Sequence, residues 1–242
     1  MIRVILLDVD GTLTRDRNTE ALDPEALEAI QEVVGKYVIG LVTGNALIVT
    51  QALASYIGLP RGSPLIAENG CVLEYGSVQY ELCEDLGLRD VALRLIKAVP
   101  GLKPTYQFNC RRFDIALWAD KDPRELVEIV NEELRKMGLA GKVRVSHSGY
   151  ALHLQPASSS KAVAVRRLCE IMGVPCSDVA YIGDSDTDVE VIDVVGYGIA
   201  VANAVPELRR RAKIVLPEPS GRGVAYFLRH YLPRLRPSED RK

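Results

Sequence analysis

The chain has 242 residues, 48% of them hydrophobic and 26% charged, an ordinary globular composition with room for one large domain or a core with a smaller insert. With 30 Lys and Arg against 32 Asp and Glu, the formal net charge is −2, and no basic stripe stands out, which argues against a nucleic-acid partner and for a small-molecule one. The opening MIRVILLDVD is too short and too quickly acidic for a signal peptide, and no run approaches the ~18 apolar residues of a membrane helix, so a cytoplasmic protein without a membrane partner is expected.

The first third alternates strand and helix. Residues 2–8 read as a continuously apolar strand of a parallel sheet covered on both faces. DPEALEAIQEVVGKY follows, with Asp23 able to cap it, Pro24 suited to the first helical position and Gly35 able to end it. VIGLVTG (38–44) is a short strand and NALIVTQALASYIG (45–58) a helix. PLIAENGCVLEY (64–75) predicts two strands around an Asn-Gly turn. From about Val78 to Gln155 the order becomes two copies of helix–strand–strand. In it are helices over 88–99 and 122–138, a strand pair over 105–119 folding back at Asn109-Cys110-Arg111, and a hairpin over 142–156 turning at Ser148-Gly149. The earlier rhythm then returns, with helices over 158–173, 188–196, 205–212 and 223–232 and strands over 178–183, 197–203 and 213–217; the charged tail from Pro233 is expected to be disordered.

This pattern predicts an α/β fold with a doubly wound, mostly parallel, Rossmann-like core sheet. Residues 1–80 and 156–242 are expected to form that core, and residues 81–155 an inserted α+β cap. The five cysteines are scattered, lack a C-x-x-C and read as reduced, and no histidine has zinc-ligand spacing with them.

In open α/β sheets, ligands bind beyond the carboxyl ends of the strands, and four polar clusters fall there. Asp8 and Asp10 lie two apart, so an extended chain points both the same way. Two carboxylates in one pocket repel unless a cation or a shared proton intervenes, and GDSDTD adds Asp184 and Asp188. A hard divalent cation resolves this, and Mg²⁺ fits best where a substrate phosphate completes its shell. Asp-Gly is also a common turn pair, and acids suit helix starts, so turn and capping roles stand beside the metal reading; Asp186 is expected to face solvent. Thr43-Gly44-Asn45 ends a strand and opens a helix, where unpaired N–H groups favour phosphate, although Asn45 could simply cap that helix. Lys161 opposes the macrodipole in the first turn of its helix, which points either to a solvated lysine or to one that faces the phosphate and the acids. A carboxylate beside Mg²⁺ can attack phosphorus to form an aspartyl-phosphate, and a second can protonate the leaving oxygen and then activate water.

Taken in order, Asp8-Val9-Asp10-Gly11-Thr12, Thr43, Lys161 and Gly183-Asp184-Ser185-Asp186-Thr187-Asp188 resemble the motifs of the haloacid dehalogenase superfamily. The resemblance covers the whole core. It implies that Asp8 is the nucleophile and Asp10 the general acid/base. It further implies that Mg²⁺ is bound by Asp8, the Asp10 backbone carbonyl and Asp184, with Asp188 assisting. The insert lies where the Cof-like branch carries its α/β cap, and VTGN, ENG and GDSDTD are similar to the short archaeal phosphoglycolate phosphatases of that branch. Thr187 departs from the Asn usual there. The expected enzyme is thus a Mg²⁺-dependent phosphatase of small phosphate monoesters such as 2-phosphoglycolate, as monomer or homodimer. A sugar-phosphate phosphatase, a phosphomutase and a non-catalytic phosphate-binding protein are the alternatives. A substrate carboxylate would need a cationic or amide contact, for which Arg111 and Arg112 of the cap and Asn69 of the core are candidates, although hairpin-tip arginines are usually solvated.

Overall fold

The computed structural model describes residues 1–147 and 151–235. In chain order the core begins with β1 (Val4–Leu7), α1 (Pro24–Val33), β2 (Val38–Val42), α2 (Leu47–Ile57), β3 (Leu65–Ala67), β4 (Val72–Tyr75) and β5 (Val78–Glu81). The insert supplies α3 (Leu88–Ala98), β6 (Leu102–Pro104), β7 (Ile115–Ala119), α4 (Pro123–Lys136), β8 (Val143–His147) and β9 (Ala151–Pro156). The return carries α5 (Lys161–Met172), β10 (Val179–Gly183), α6 (Asp186–Ile192), β11 (Tyr197–Ala200), α7 (Pro206–Arg211), β12 (Ile214–Val215) and α8 (Ser220–Tyr226).

One sheet has eight strands in the order β12-β11-β10-β1-β2-β3-β4-β5. It is parallel from β12 to β3 and antiparallel at β4 and β5. From β1 the chain winds one way through β2 and β3, and from β10 the other way through β11 and β12. Right-handed crossovers therefore put α1 and α6 on opposite faces. The packing agrees: α1 lies against α8, while α6 lies between α5 and α7. All of β1 is buried, as its unbroken apolar run requires. The divergence between β1 and β10 is the switch point at which ligands of such sheets bind.

The second sheet is antiparallel, in the order β6-β7-β9-β8. Strand periodicity divides its faces. Ile115, Leu117, Leu152 and Leu154 face α3 and α4 in a small core of their own. Ala116, Trp118, Ala151 and His153 alternate with them and line a cleft of about 1170 Å³ that also reaches Asp8 and Asp184.

Four differences from the sequence pattern have local causes. β5 (VQYE) is only four residues long and largely exposed at the sheet edge, so its sequence does not set it apart as a strand. Of the strand pair expected over 105–119 only the second forms there, as β7; its partner β6 (Leu102–Pro104) lies just before that stretch, and a 3-10 turn (Phe108–Cys110) sits in the loop between them. The closing helix starts earlier, at Ser220, and passes through a π turn to a 3-10 turn at Leu232–Leu235, so the disorder expected from Pro233 does not begin there. The cysteines are not all reduced: Cys71 pairs with Cys83 and Cys169 with Cys176, with Cα separations of 4.9 and 5.7 Å, and Cys110 is free. Pairing depends on that spatial approach, which scattered sequence positions do not reveal. The turn expected at Ser148-Gly149 and the tail from residue 236 lie outside the described residues. Among the described residues, no helix is long and apolar enough to cross a membrane.

Candidate active site

The end of β1 delivers the first two carboxylates. The Asp8 N–H donates to Ile182 O at 3.0 Å, setting Asp8 level with the end of β10. Gly11 then turns the chain at φ +82°, and a Cβ there would lie 2.5 Å from Asp184 Oδ2. Glycine is required for both the conformation and the approach. Against this turn, Asp184 accepts Thr12 Oγ1 at 3.3 Å and Arg17 Nε at 2.7 Å.

Lys161 is the first residue of α5, whose start is capped by Ser160. Its position against the macrodipole is explained by what it touches. Nζ donates to Asp8 Oδ1 at 2.8 Å and to Asp188 Oδ1 at 2.7 Å, and the residue is 3% exposed. Asp188 Oδ1 also accepts the Tyr181 hydroxyl, while Oδ2 accepts the N–H groups of Asp184 and Ser185 and the Ser185 hydroxyl. Gly183 makes room for this: a Cβ there would lie 2.7 Å from the Asp188 carboxyl carbon.

Oxygens of Asp8, Asp184 and Asp188 lie within 4.8 Å of one another, all buried. Lys161 and the half-exposed Arg17 are the cations in contact with them. Burial, and then the neighbouring acids, push Asp8 well above the usual carboxylate range despite Lys161. Burial and then Asp188 raise Asp184 to about 6. Burial pushes Asp188 the same way, but Lys161, Tyr181 and the Ser185 backbone hold it low. Lys161 touches both Asp8 and Asp188, and three buried acids against Lys161 and Arg17 leave the cluster short of positive charge among the described residues. A hard oxygen-seeking divalent cation fits that donor set. Asp10 is exposed at the cleft mouth; desolvation by the surrounding cleft walls raises it, and the Asn45 hydrogen bond opposes that.

The third cluster meets the cap. Gly44 and Asn45 line the cleft, whereas Thr43 is fully buried and its hydroxyl accepts the Asn45 N–H at 3.1 Å. Asn45 is not the helix cap, because α2 begins after Ala46. The cap loop covers this turn. Gln107 bonds Asn45 and Ala46, and Arg111 donates to Gly44 O at 2.7 Å. Glu68, buried at a left-handed φ of 49°, accepts the backbone N–H groups of Arg112, Phe113 and Asp114. The next residue, Asn69, donates to Asp114 Oδ2.

All eight residues singled out from the motifs therefore converge: Asp8, Asp10, Gly44, Asn45, Lys161 and Asp184 line the cleft, with Thr43 and Asp188 packed behind them. Asp186 is exposed on the cleft rim, facing solvent as expected. The two arginines part company. Arg111 is buried in the cleft at 4% exposure, against the expectation for a hairpin tip, while Arg112 pairs with Glu81 and Asp85 at the surface. Arg17, Glu68, Gln107 and Tyr181 were not legible as site residues. The first and third sit in stretches that read as polar loop and strand, Tyr181 reads as core, and ENG reads only as a turn.

A family model for haloacid dehalogenase-like hydrolases matches residues 5–98 and 112–228. A phosphoglycolate phosphatase of Pyrobaculum aerophilum is 41% identical over 224 residues, covering 91% of this chain and 92% of that protein. One from Metallosphaera sedula is 38% identical over 229 residues, covering 94% and 98%. Among solved structures, Thermoplasma acidophilum 0175 superposes with a TM-score of 0.80 at 24% identity, covering 96% of this chain and 99% of that one. The sucrose-phosphatase of Synechocystis gives 0.70 at 20% identity, covering 96% and 98%. With the motif residues gathered at one switch point and a family match over most of its length, the chain belongs to the haloacid dehalogenase-like hydrolases.

Proposed function

We propose that the protein is a cytoplasmic phosphatase that hydrolyses 2-phosphoglycolate to glycolate and phosphate, with residues 1–80 and 156–242 as catalytic core and residues 81–155 as cap. Disulfides are compatible with that compartment in hyperthermophiles. The names of the curated relatives support this substrate. The observation that carries it within this chain is Arg111, which lines the cleft and whose buried Nε has no hydrogen-bond partner among the described residues. A buried guanidinium with an unused donor costs stability unless an acceptor arrives. A carboxylate one carbon from the phosphate ester is such an acceptor.

In this reading, an Asp8 oxygen attacks phosphorus and the phosphorus–oxygen bond to glycolate breaks. Asp10 gives its proton to the departing oxygen, then takes one from the water that cleaves the acyl phosphate. Lys161, Gly44 and Asn45 hold the phosphoryl oxygens. Asp8, Asp184 and the Asp10 backbone carbonyl would hold Mg²⁺, with Asp188 behind them, and the ion would supply charge neutralisation at the phosphoryl group. The cap closes the covalent intermediate off from bulk solvent and leaves room for the water that Asp10 activates.

Arg111→Ala is expected to lower kcat/KM for 2-phosphoglycolate, relative to p-nitrophenyl phosphate, by on the order of tenfold or more, because only the former has a carboxylate to lose. An unchanged ratio would remove the carboxylate contact. A second expectation concerns stability. Asp184, raised to about 6, binds its proton more tightly folded than unfolded. Its contribution is thus present below about 3.9 and lost as pH climbs through the folded value. Mg²⁺ should therefore raise the Tm of chelator-treated protein more at pH 7.5 than at pH 5, where a proton competes. Equal shifts at both pH values in calorimetry would contradict it.

A further inference from the structure

Gln107 belongs to the cap loop between β6 and β7 and is 4% exposed. The two ends of its amide can be told apart. The Ala46 N–H donates to Oε1 at 2.9 Å, and a backbone N–H cannot accept, so this end is oxygen. The other end, Nε2, donates to Asn45 Oδ1 at 2.7 Å. That in turn orients Asn45, whose Nδ2 faces away from the cap and donates to Asp10 Oδ2 at 2.8 Å and Thr43 Oγ1 at 3.0 Å. One core backbone amide thus fixes a cap side chain, which fixes a core side chain, which holds one oxygen of Asp10.

We infer that Gln107 is a positioning residue which, when the cap docks, sets the orientation of Asn45 and through it places the Asp10 carboxylate for proton transfer. Without Gln107, Asn45 keeps its contacts to Asp10 and Thr43 but loses the donor on Oδ1 that opposes reversal of its amide. In the reversed orientation Oδ1 meets Asp10 Oδ2, two acceptors repel, and the carboxylate swings off its line. Cap docking and the readiness of the acid/base are then one event. Tyr106, next in the loop, adds a second tie to the core by donating to Glu20 at 2.8 Å. The inference rests on the phosphatase reading, but not on which ester is hydrolysed, because Asp10 also serves the hydrolytic step common to all.

The test compares two substitutions by steady-state kinetics on 2-phosphoglycolate and p-nitrophenyl phosphate. Gln107→Glu keeps the size and the Ala46 bond. At pH 8.5, with its carboxyl ionised, it puts an oxygen opposite Asn45 Oδ1 and drives the amide to reverse. Gln107→Ala only frees Asn45. The expected kcat loss is on the order of 100-fold for Gln107→Glu and about tenfold for Gln107→Ala, with KM nearly constant. Adding Asn45→Ala to Gln107→Glu should cost little more, because the two act as one unit. A role in cap docking alone expects the reverse order, Gln107→Ala being the worse. Gln107→Glu equal to or better than Gln107→Ala, at unchanged Tm, overturns the relay. Wild-type release from p-nitrophenyl phosphate alone removes the glycolate assignment and leaves this comparison decisive; release from neither overturns both readings.

Discussion

Asp8→Asn is expected to cut phosphate release by about four orders of magnitude or more while raising the Tm of the metal-free protein. The two effects share one cause. Asp8 is 5% exposed, close to Asp184 and Asp188, and is held well above the usual carboxylate range chiefly by burial. A carboxylate that resists ionisation in the folded state costs stability at neutral pH. An amide of the same shape removes that cost and can still accept from Lys161 through its oxygen. It cannot attack phosphorus. The sign follows from linkage: a raised folded pKa contributes stability below the unfolded value of about 3.9, lost as pH rises. The Tm advantage of the variant should accordingly widen from pH 5 to pH 8. Acid-quenched reactions should contain no aspartyl-phosphate. Wild-type turnover in the variant would mean that Asp8 is not the nucleophile, and a lower Tm would sink the charge argument. The expected opposition of activity and stability is that of a functional site built at the expense of the fold.

The residues most legible in the sequence were those whose chemistry is encoded by local spacing. Asp8 and Asp10 stood out because residues two apart on an extended chain face the same way, and both line the cleft although β1 ends at Leu7; Lys161 stood out because a cation at a helix start is unfavourable unless something compensates it. The core sheet was legible for the same reason: β1 and β10 are unbroken apolar runs ending in acids. Contacts across long sequence separations were not. Gln107 meets Asn45 across 62 positions, and Glu68 meets Asp114 across 46. Neither residue sits in a pattern that distinguishes it from an ordinary loop. Arg111 shows how a base rate misleads. Its neighbour Arg112 is half-exposed and ion-paired at the surface, as arginines at such tips usually are, while Arg111, one position earlier, points into the cleft. Only the docking of the cap loop on Gly44 separates the two.

Lys161→Met should abolish turnover and also destabilise the protein by about 3–5 kcal/mol near neutral pH, the cost of leaving one side of a buried ion pair uncompensated. Methionine fills a similar volume, so the loss is electrostatic rather than a cavity effect. The ammonium lies 2.8 Å from Asp8 and 2.7 Å from Asp188, and without it two buried carboxylates face each other. Asp188 is held low by Lys161 against the effect of burial, so its contribution is present above the unfolded carboxylate value of about 3.9 and lost as pH falls. Lys161 itself is raised, so its contribution stays constant until pH passes the unfolded lysine value near 10.4. The stability gap between wild type and variant should therefore be wide at pH 8 and narrower at pH 5, where the orphaned acids take up a proton. A second substitution separates structure from chemistry. Asp188→Asn keeps an oxygen for the N–H groups of Asp184 and Ser185 and turns its amide nitrogen toward Tyr181 and Asp8. In the Lys161→Met background it should recover much of the lost stability and none of the activity, because the ammonium that faces the phosphoryl oxygens is gone. Urea unfolding at pH 5 and 8, with phosphate release measured on the same samples, decides it. A Lys161→Met protein as stable as wild type at pH 8 would mean that the lysine does not balance this cluster. A double variant that recovers turnover with stability would mean that its role is structural alone.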